Sequence, residues 1–315
     1  MPSSDQLRQL ESRMKIQPDR VTPALEAFIR EHVDRLEREG VILGLSGGLD
    51  SAVLADLCKR AVGPDKILAL IMPDKDSKKE HIRDAQELAA ELNINTKLID
   101  ISPYLKQLGV YKLFFLNKYP LLGKLKEPLV KKAYDLYGKM TGERPFAVSI
   151  LGLKDKKFNS YLTRSNAYYR VKHRLRMLLL YLDGELENKL VAGAANRTEY
   201  EIGYFVKHGC DDAADIMPLA ELYKTQVREL ARYLNIPKRI VEKPPSPDII
   251  PGIIDEDAIG MPYETLDLTL LAFQEGWDNS QIALALKLDE KEIVHIRNLA
   301  QRSEHMRKIY TLSNT

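Results

Sequence analysis

Apolar positions along the chain alternate between helical and strand spacing. Leu25, Phe28, Ile29, Val33 and Leu36 recur every three to four residues, which predicts a helix with Thr22 as N-cap, Pro23 at its first position and Gly40 closing it. Val41-Ile42-Leu43-Gly44-Leu45 follows at once, a continuous apolar run too short for a helix, and it predicts a buried parallel strand. The rhythm continues with helix 51–61, strand 67–72, helix 78–92, strand 96–101, helix 167–183, strand 189–193 and helix 223–234. An earlier helix is expected to start near Ser3. Such alternation specifies βαβ units, so the expected fold class is α/β, a doubly wound parallel sheet flanked by helices.

Two regions depart from this rhythm. Beyond residue 263 there is no strand-like run, and Leu266, Leu270 and Phe273, then Ile282 and Leu286, then Ile293, Ile296 and Leu299 predict a helical C-terminal lobe. The stretch 102–160 is rich in Lys, Tyr, Pro and Gly, with a helix expected near 127–140. It is long for a connection between sheet strands, so it reads either as an inserted lid or as an excursion that packs elsewhere. The whole chain, 1–315, is expected to form a single domain carrying this insertion and the terminal lobe.

Composition adds exclusions. The hydrophobic share of 44% and charged share of 29% are ordinary for a globular protein. No apolar run reaches the roughly 18 residues of a membrane span, and the N-terminus lacks the layout of a secretory signal, so a cytoplasmic protein without membrane contact is expected. Net charge is only +2, but residues 103–158 hold twelve Lys or Arg against four Asp or Glu. No RNA-binding module accompanies that basic stretch, and nucleic acid is not an expected partner. The two cysteines, Cys58 and Cys210, form no CxxC pair, and without an HExxH or His/Cys cluster a caged zinc or iron–sulfur centre is not expected.

The sharpest chemical signal is Ser46-Gly47-Gly48-Leu49-Asp50-Ser51, between a predicted strand and a predicted helix. Paired glycines let the backbone turn tightly and offer its N–H groups, and the helix directs unpaired amides at the same spot. Such a nest suits a phosphate chain. A carboxylate beside phosphates repels them unless a cation intervenes, so Asp50 is a candidate Mg²⁺ ligand. Neither a GxxxxGK[ST] loop nor GxGxxG is present.

This loop resembles the SGGxDS pyrophosphate loop of the N-type ATP pyrophosphatases, which cleave ATP between the α- and β-phosphates and transfer AMP to a substrate oxygen. Further motifs follow in order: Gly193-Ala194-Ala195-Asn196-Arg197-Thr198-Glu199, Tyr204-Phe205-Val206-Lys207, Leu222-Tyr223-Lys224-Thr225-Gln226-Val227, Lys243-Pro244-Pro245-Ser246, Asp255-Glu256-Asp257-Ala258-Ile259-Gly260 and Ser303-Glu304-His305. Together they resemble the ammonia-dependent NAD synthetases across most of 41–101 and 166–308. The resemblance implies an adenine-nucleotide-hydrolase-like fold, a homodimer and an AMP-forming amide ligase. ATP would adenylate the nicotinate carboxylate of deamido-NAD, and ammonia would displace AMP.

Residue roles carry over from the same resemblance. Ser46, Gly47, Gly48, Asp50, Ser51, Lys224 and Ser246 would bind ATP, while Asp50 and Glu199 would hold Mg²⁺. Lys224 would also act on the phosphates as a point charge. Arg174, Arg176, Lys207 and Asp215 would bind deamido-NAD, and either Asp211 or Asp212 would position or deprotonate the ammonia. Two departures stand out. The family's G-D-G-G/A-x-D appears as Gly209-Cys210-Asp211-Asp212-Ala213-Ala214-Asp215, one residue longer, and a Gly-Asn pair is replaced by Tyr169-Arg170. Both fall on the acceptor side, so a different carboxylate or a nucleobase carbonyl remains an alternative acceptor. A nucleotide sensor without catalysis is the reading from another class, and the intact loop, Glu199 and Lys224 speak against it. Cys210 lacks an evident base partner in the sequence and reads as a bystander. No cysteine nucleophile for glutamine hydrolysis is evident, so ammonia is expected free or from a separate amidotransferase.

Overall fold

A computed structural model describes residues 4–114, 126–141, 144–151, 156–245 and 252–311. Four parallel strands, β1 Gly40–Gly44, β2 Ile67–Ile71, β3 Asn95–Leu98 and β4 Lys189–Ala192, form a sheet of order β3-β2-β1-β4. The chain moves outward from β1 through β2 to β3, then returns to the other side of β1 for β4. The order therefore reverses between β1 and β4, which is where open α/β sheets leave a crevice at their carboxyl ends.

Side-chain alternation explains the layers. Val41 and Leu43 of β1, Ile67, Ala69 and Ile71 of β2, and Leu190 and Ala192 of β4 join one core with helices Pro18–Arg35, Leu49–Val62 and Lys224–Tyr233. Ile42, Leu68, Leu70 and Val191 point oppositely and meet helix Lys156–Leu186. Both sheet faces are thus covered, as the unbroken apolar runs require. β3 is the exception: all four of its residues are exposed, and Lys97 at this edge pairs with Asp183 at 2.7 Å. The third core, around Tyr263, Leu266, Ile293 and Ile296, is the expected helical C-terminal lobe, made of Tyr263–Gln274, Asn279–Leu286, Glu290–Arg302 and Glu304–Arg307.

Several boundaries differ from expectation. The first amphipathic helix begins at Pro18, not Pro23, so Thr22 is a buried interior residue rather than a cap. Pro18 supplies the same first-position signal earlier in the chain. That helix ends at Arg35, and Gly40 instead opens β1. Its backbone lies so close to the neighbouring turn that a Cβ would sit 1.9 Å from the Lys66 carbonyl oxygen. The helix expected at 167–183 is longer, Lys156–Leu186. Within 102–160, helices Ser102–Gln107, Lys126–Thr141 and Pro145–Leu151 are formed. Ala147 and Ile150 enter the C-terminal core, and Val130 and Tyr134 pack on Ile253 and Ala258. Helices Lys126–Thr141 and Pro145–Leu151 therefore pack against the C-terminal half of the chain, whereas Leu105 of Ser102–Gln107 joins Ile42, Leu68 and Leu70 on the sheet.

Gly40→Ala tests the close approach at the sheet. The added methyl must displace backbone rather than a flexible side chain, so the loss should reach or exceed about 1–3 kcal/mol, read as a lower urea midpoint at unchanged slope.

Candidate active site at the reversal point of the sheet

The loop after β1 is braced from within. Ser46 Oγ and Ser51 Oγ lie 3.0 Å apart, the Gly48 N–H donates to Ser46 Oγ at 3.2 Å, and the Ser51 hydroxyl donates to the Gly48 carbonyl at 3.1 Å. Gly48 caps helix Leu49–Val62, so the helix N-terminus faces the loop as expected. Gly47 has φ +76°, and a Cβ there would meet the His81 carbonyl oxygen at 2.3 Å. This position needs glycine on both counts.

The loop after β4 meets it across the reversal point. Asn196 caps helix Arg197–Ile202 in a capping box with Glu199, and its side-chain amide also donates to Asp50 Oδ1 at 3.0 Å. Lys224 opens helix Lys224–Tyr233 with its backbone N–H held by Thr198 Oγ1 at 2.9 Å. Its ammonium donates to Asp50 Oδ2 at 2.6 Å and Glu199 Oε1 at 3.1 Å. The expected Mg²⁺ ligands are therefore brought together, with Lys224 between them. Thr198 and Thr225 are in turn fixed by buried Asp267, at 2.6 Å and 2.7 Å respectively.

Asp255 is a third carboxylate here, bound by Tyr204 Oη at 3.2 Å and Tyr263 Oη at 3.0 Å. Burial, with repulsion from Asp50 and Asp255, pushes Glu199 up to about 8 against the pull of Lys224. Burial likewise raises Asp255. For Lys224 burial acts downward, but Asp50, Glu199 and Asp255 outweigh it and hold the ammonium charged. One ammonium thus faces three acidic side chains, a site poised for additional positive charge.

A cavity of about 380 Å³ opens above these groups, lined by Ser46, Gly48, Asp50, Ser51, Glu199 and Lys224. On its far wall are Tyr169, Arg170, His173 and Arg176, one face of helix Lys156–Leu186. Arg176 donates to the Met72 carbonyl at 3.0 Å. Arg174, two residues away and so turned elsewhere, is exposed and donates to the Lys207 carbonyl at 3.2 Å. The wall is anchored by buried Lys172, paired with Asp74 at 2.6 Å and Asp76 at 2.8 Å.

The remaining expected residues separate. Asp211 lines the cavity with Oδ2 3.0 Å from His173 Nδ1. Burial acts upward on it, but His173, Cys210 and Arg176 overcome this and keep it ionised. Asp212 instead accepts from Tyr200 Oη at 2.6 Å and the His208 N–H at 2.7 Å, bracing its own loop. Asp215 accepts from the Val191 N–H at 2.9 Å and Tyr181 Oη at 3.0 Å. Lys207 donates to the His305 and Lys308 carbonyls at 2.7 Å and 2.6 Å, tying down the C-terminal segment. Ser246 lies outside the described residues. Cys210 does have a base neighbour, His173 Nδ1 at 3.4 Å, but burial first and Asp211 second push its thiol well up, so it stays protonated.

The sequence reading missed His173, Arg170, Lys243 and Asp255 as cavity residues. Helical spacing from Arg176 would have found Arg170 and His173, whereas Lys243 and Asp255 stood in the quoted motifs 243–246 and 255–260 without a role given to them.

Similarity to known proteins agrees with this geometry. The NAD synthase family profile matches residues 21–113 and 149–310. The chain belongs to the NAD synthase family. It is 39% identical over 285 residues to the NH(3)-dependent NAD(+) synthetase of Thermotoga maritima, covering 90% of this chain and 96% of that protein. The Methanocaldococcus jannaschii enzyme of the same name is 33% identical, at 92% and 95% coverage. Among solved structures, NMN synthetase from Francisella tularensis superposes with a TM-score of 0.69 at 28% identity, covering 96% of this chain and 100% of that one. The NH3-dependent NAD synthetase from Campylobacter jejuni, in complex with nitrate ion, gives 0.63 at 27%, covering 95% and 100%.

The position of Glu199 predicts a pH effect. Between the ordinary carboxylate value of 4.5 and about 8, the native state holds this proton more tightly than the unfolded chain, so its stabilising contribution is lost as pH rises through that window. Glu199→Gln should therefore raise the Tm of the ligand-free protein more at pH 9 than at pH 5, measured by calorimetry.

Proposed function

We propose that this protein is an NAD synthetase: an ATP-dependent, AMP-forming ligase that amidates deamido-NAD with ammonia. The observation that carries the reading is the convergence of the 46–51 loop, Glu199 and Lys224 on one cavity, in a chain 39% identical to an enzyme of that name. In the first step a carboxylate oxygen of the acceptor bonds the α-phosphorus of ATP and pyrophosphate leaves. Ammonia then bonds the acyl carbon, AMP leaves with the old carboxylate oxygen, and a proton is released.

Each group in the cavity has a matching task. The Gly48 amide and the two loop serines offer hydrogen bonds to the phosphate chain, and Lys224 neutralises charge that develops on it. The donor set at Asp50 and Glu199 suits Mg²⁺, since both offer hard oxygens where positive charge is in deficit. There Mg²⁺ would neutralise phosphate oxygens. Asp211, ionised and facing the cavity, is the better placed of the two aspartates to hold ammonium and take its proton. Arg170 and Arg176 supply positive charge on the acceptor wall, while Ser246 keeps its ATP role from sequence alone.

Free ammonia as nitrogen source follows the names of the relatives; delivery by a separate glutamine amidotransferase would serve the same chemistry. A cytoplasmic location belongs to the same reading because ATP is a reactant, and no helix among the described residues is long and apolar enough to cross a membrane. A homodimer is supported by Leu178, Leu182 and Leu186, an exposed apolar stripe at one-turn spacing on helix Lys156–Leu186. Light scattering should give twice the monomer mass, and Leu182→Glu should lower it.

The second reading changes only the acceptor. Likeness to an NMN synthetase, with Tyr169 and Arg170 on the acceptor wall, favours testing the carboxylate precursor of NMN beside deamido-NAD. With ATP, Mg²⁺ and ammonium, deamido-NAD should give NAD and AMP in equal amounts. ADP in place of AMP would refute the reading, and preference for the mononucleotide would move the protein to the second one. Asp50→Asn should lower turnover by about a hundredfold or more.

A further inference from the structure

Lys243 has no part in the reaction as described above, yet it touches the loop on which that reaction depends. Its ammonium donates to the Gly47 carbonyl at 3.0 Å and to Asp84 Oδ2. Asp84 is 1% exposed, and its other oxygen, Oδ1, has no hydrogen-bond partner among the described residues. The nearest other cations to that oxygen, on Arg83 and Arg239, are 3.8 Å away. Lys243 is therefore the close counter-ion that keeps this buried carboxylate tolerable.

The contact with Gly47 matters because a trans peptide points its C=O and N–H in opposite directions. A cation on the Gly47 carbonyl fixes that peptide plane, and so fixes where the Gly48 N–H is aimed. At present that N–H is on Ser46 Oγ, at the cavity wall. The same peptide cannot relax backward, since Gly47 is already packed against the His81 carbonyl. Lys243 itself lines the cavity beside Ser46, Gly48 and Ser51. An ammonium has three N–H donors, and Gly47 and Asp84 account for two of them. A neutral donor could tether a carbonyl equally well. An ammonium oriented by a buried carboxylate, at the edge of a phosphate nest, does something more.

We propose that Lys243, held in place by Asp84, is a second ammonium contact of the pyrophosphate site beside Lys224: it sets the loop for phosphate and donates to the departing pyrophosphate. Lys224 then serves the side of the site at Asp50 and Glu199, and Lys243 serves the side at Gly47. Asp84 acts through Lys243 and is a positioning residue. The ligand class is a phosphoanhydride, either ATP's β,γ-phosphates or free pyrophosphate. This rests on the synthetase reading for its place in a reaction, but not for its test.

The test is calorimetric binding of inorganic pyrophosphate with MgCl₂ to the full-length protein, beside steady-state assays. Lys243→Met should weaken pyrophosphate binding and raise the KM for ATP by roughly tenfold or more, with the KM for deamido-NAD little changed. Because that variant strands Asp84, the double variant Lys243→Met/Asp84→Asn removes both charges and should regain the wild-type Tm without regaining pyrophosphate affinity. Pyrophosphate affinity within about threefold of wild type in the double variant would overturn the inference. So would an equal loss of affinity for pyrophosphate and deamido-NAD, the mark of a merely structural pair. If the wild type binds pyrophosphate but forms no AMP with either acceptor, the synthetase reading fails and the site survives.

Discussion

The ion cluster of Lys224 with Asp50 and Glu199 is the constraint around which the molecule is arranged. Its members come from the first turns of helices Leu49–Val62, Arg197–Ile202 and Lys224–Tyr233, and the first two of these follow β1 and β4, which the sheet places side by side. Burying such charges costs more than their attraction returns unless the surrounding hydrogen bonds are complete. The structure supplies those bonds. Asn196 holds Asp50, the capping box holds Glu199, and Thr198 with Asp267 holds the start of the Lys224 helix. Even so, acid outweighs base, and Glu199 is held up to about 8 by burial and by Asp50 and Asp255.

The C-terminal lobe completes this cluster. It contributes Tyr263, whose ring lies 5.3 Å from the Lys224 ammonium and whose hydroxyl, with that of Tyr204 after helix Arg197–Ile202, positions Asp255. Packing of Ala147 and Ile150 into the same lobe brings residues of the 102–160 stretch to the cavity rim, where Phe146 and Ser149 line it. The cavity is therefore lined from several layers of the molecule. Ser46, Asp50 and Glu199 follow sheet strands, whereas other lining residues come from one face of helix Lys156–Leu186 and from the loop carrying Asp211.

These origins explain what could be read in advance. Strands β1, β2 and β4 and their helices were legible because a buried parallel strand and an amphipathic helix leave local signatures of period and length. β3 was expected at 96–101 but covers Asn95–Leu98, because the apolar residues that suggested it, Ile99 and Ile101, lie beyond an edge strand whose own residues are all exposed. The start of the first long helix was misplaced from Pro18 to Pro23 because both prolines carry the same signal. At the site, loop geometry at 46–51 followed from glycine and serine alone. Arg174 and Arg176 looked alike in sequence, but the helix turns only Arg176 into the cavity. Asp211 and Asp212 were indistinguishable until His173 and Tyr200 claimed one each.

The sequence by itself determined the alternating α/β architecture, the phosphate-receptive loop, and the residue types available for a cation and a nucleotide. Those properties depend on chemistry within a few positions of each other. Only the tertiary structure decided which distant side chains share a boundary. Lys243 with Asp84 and Gly47, Cys210 with His173, and Asp255 with Tyr204 are such pairings. The reason is physical: partners separated by tens to hundreds of residues are selected by strand order and by which helix face is buried, and no local pattern encodes either.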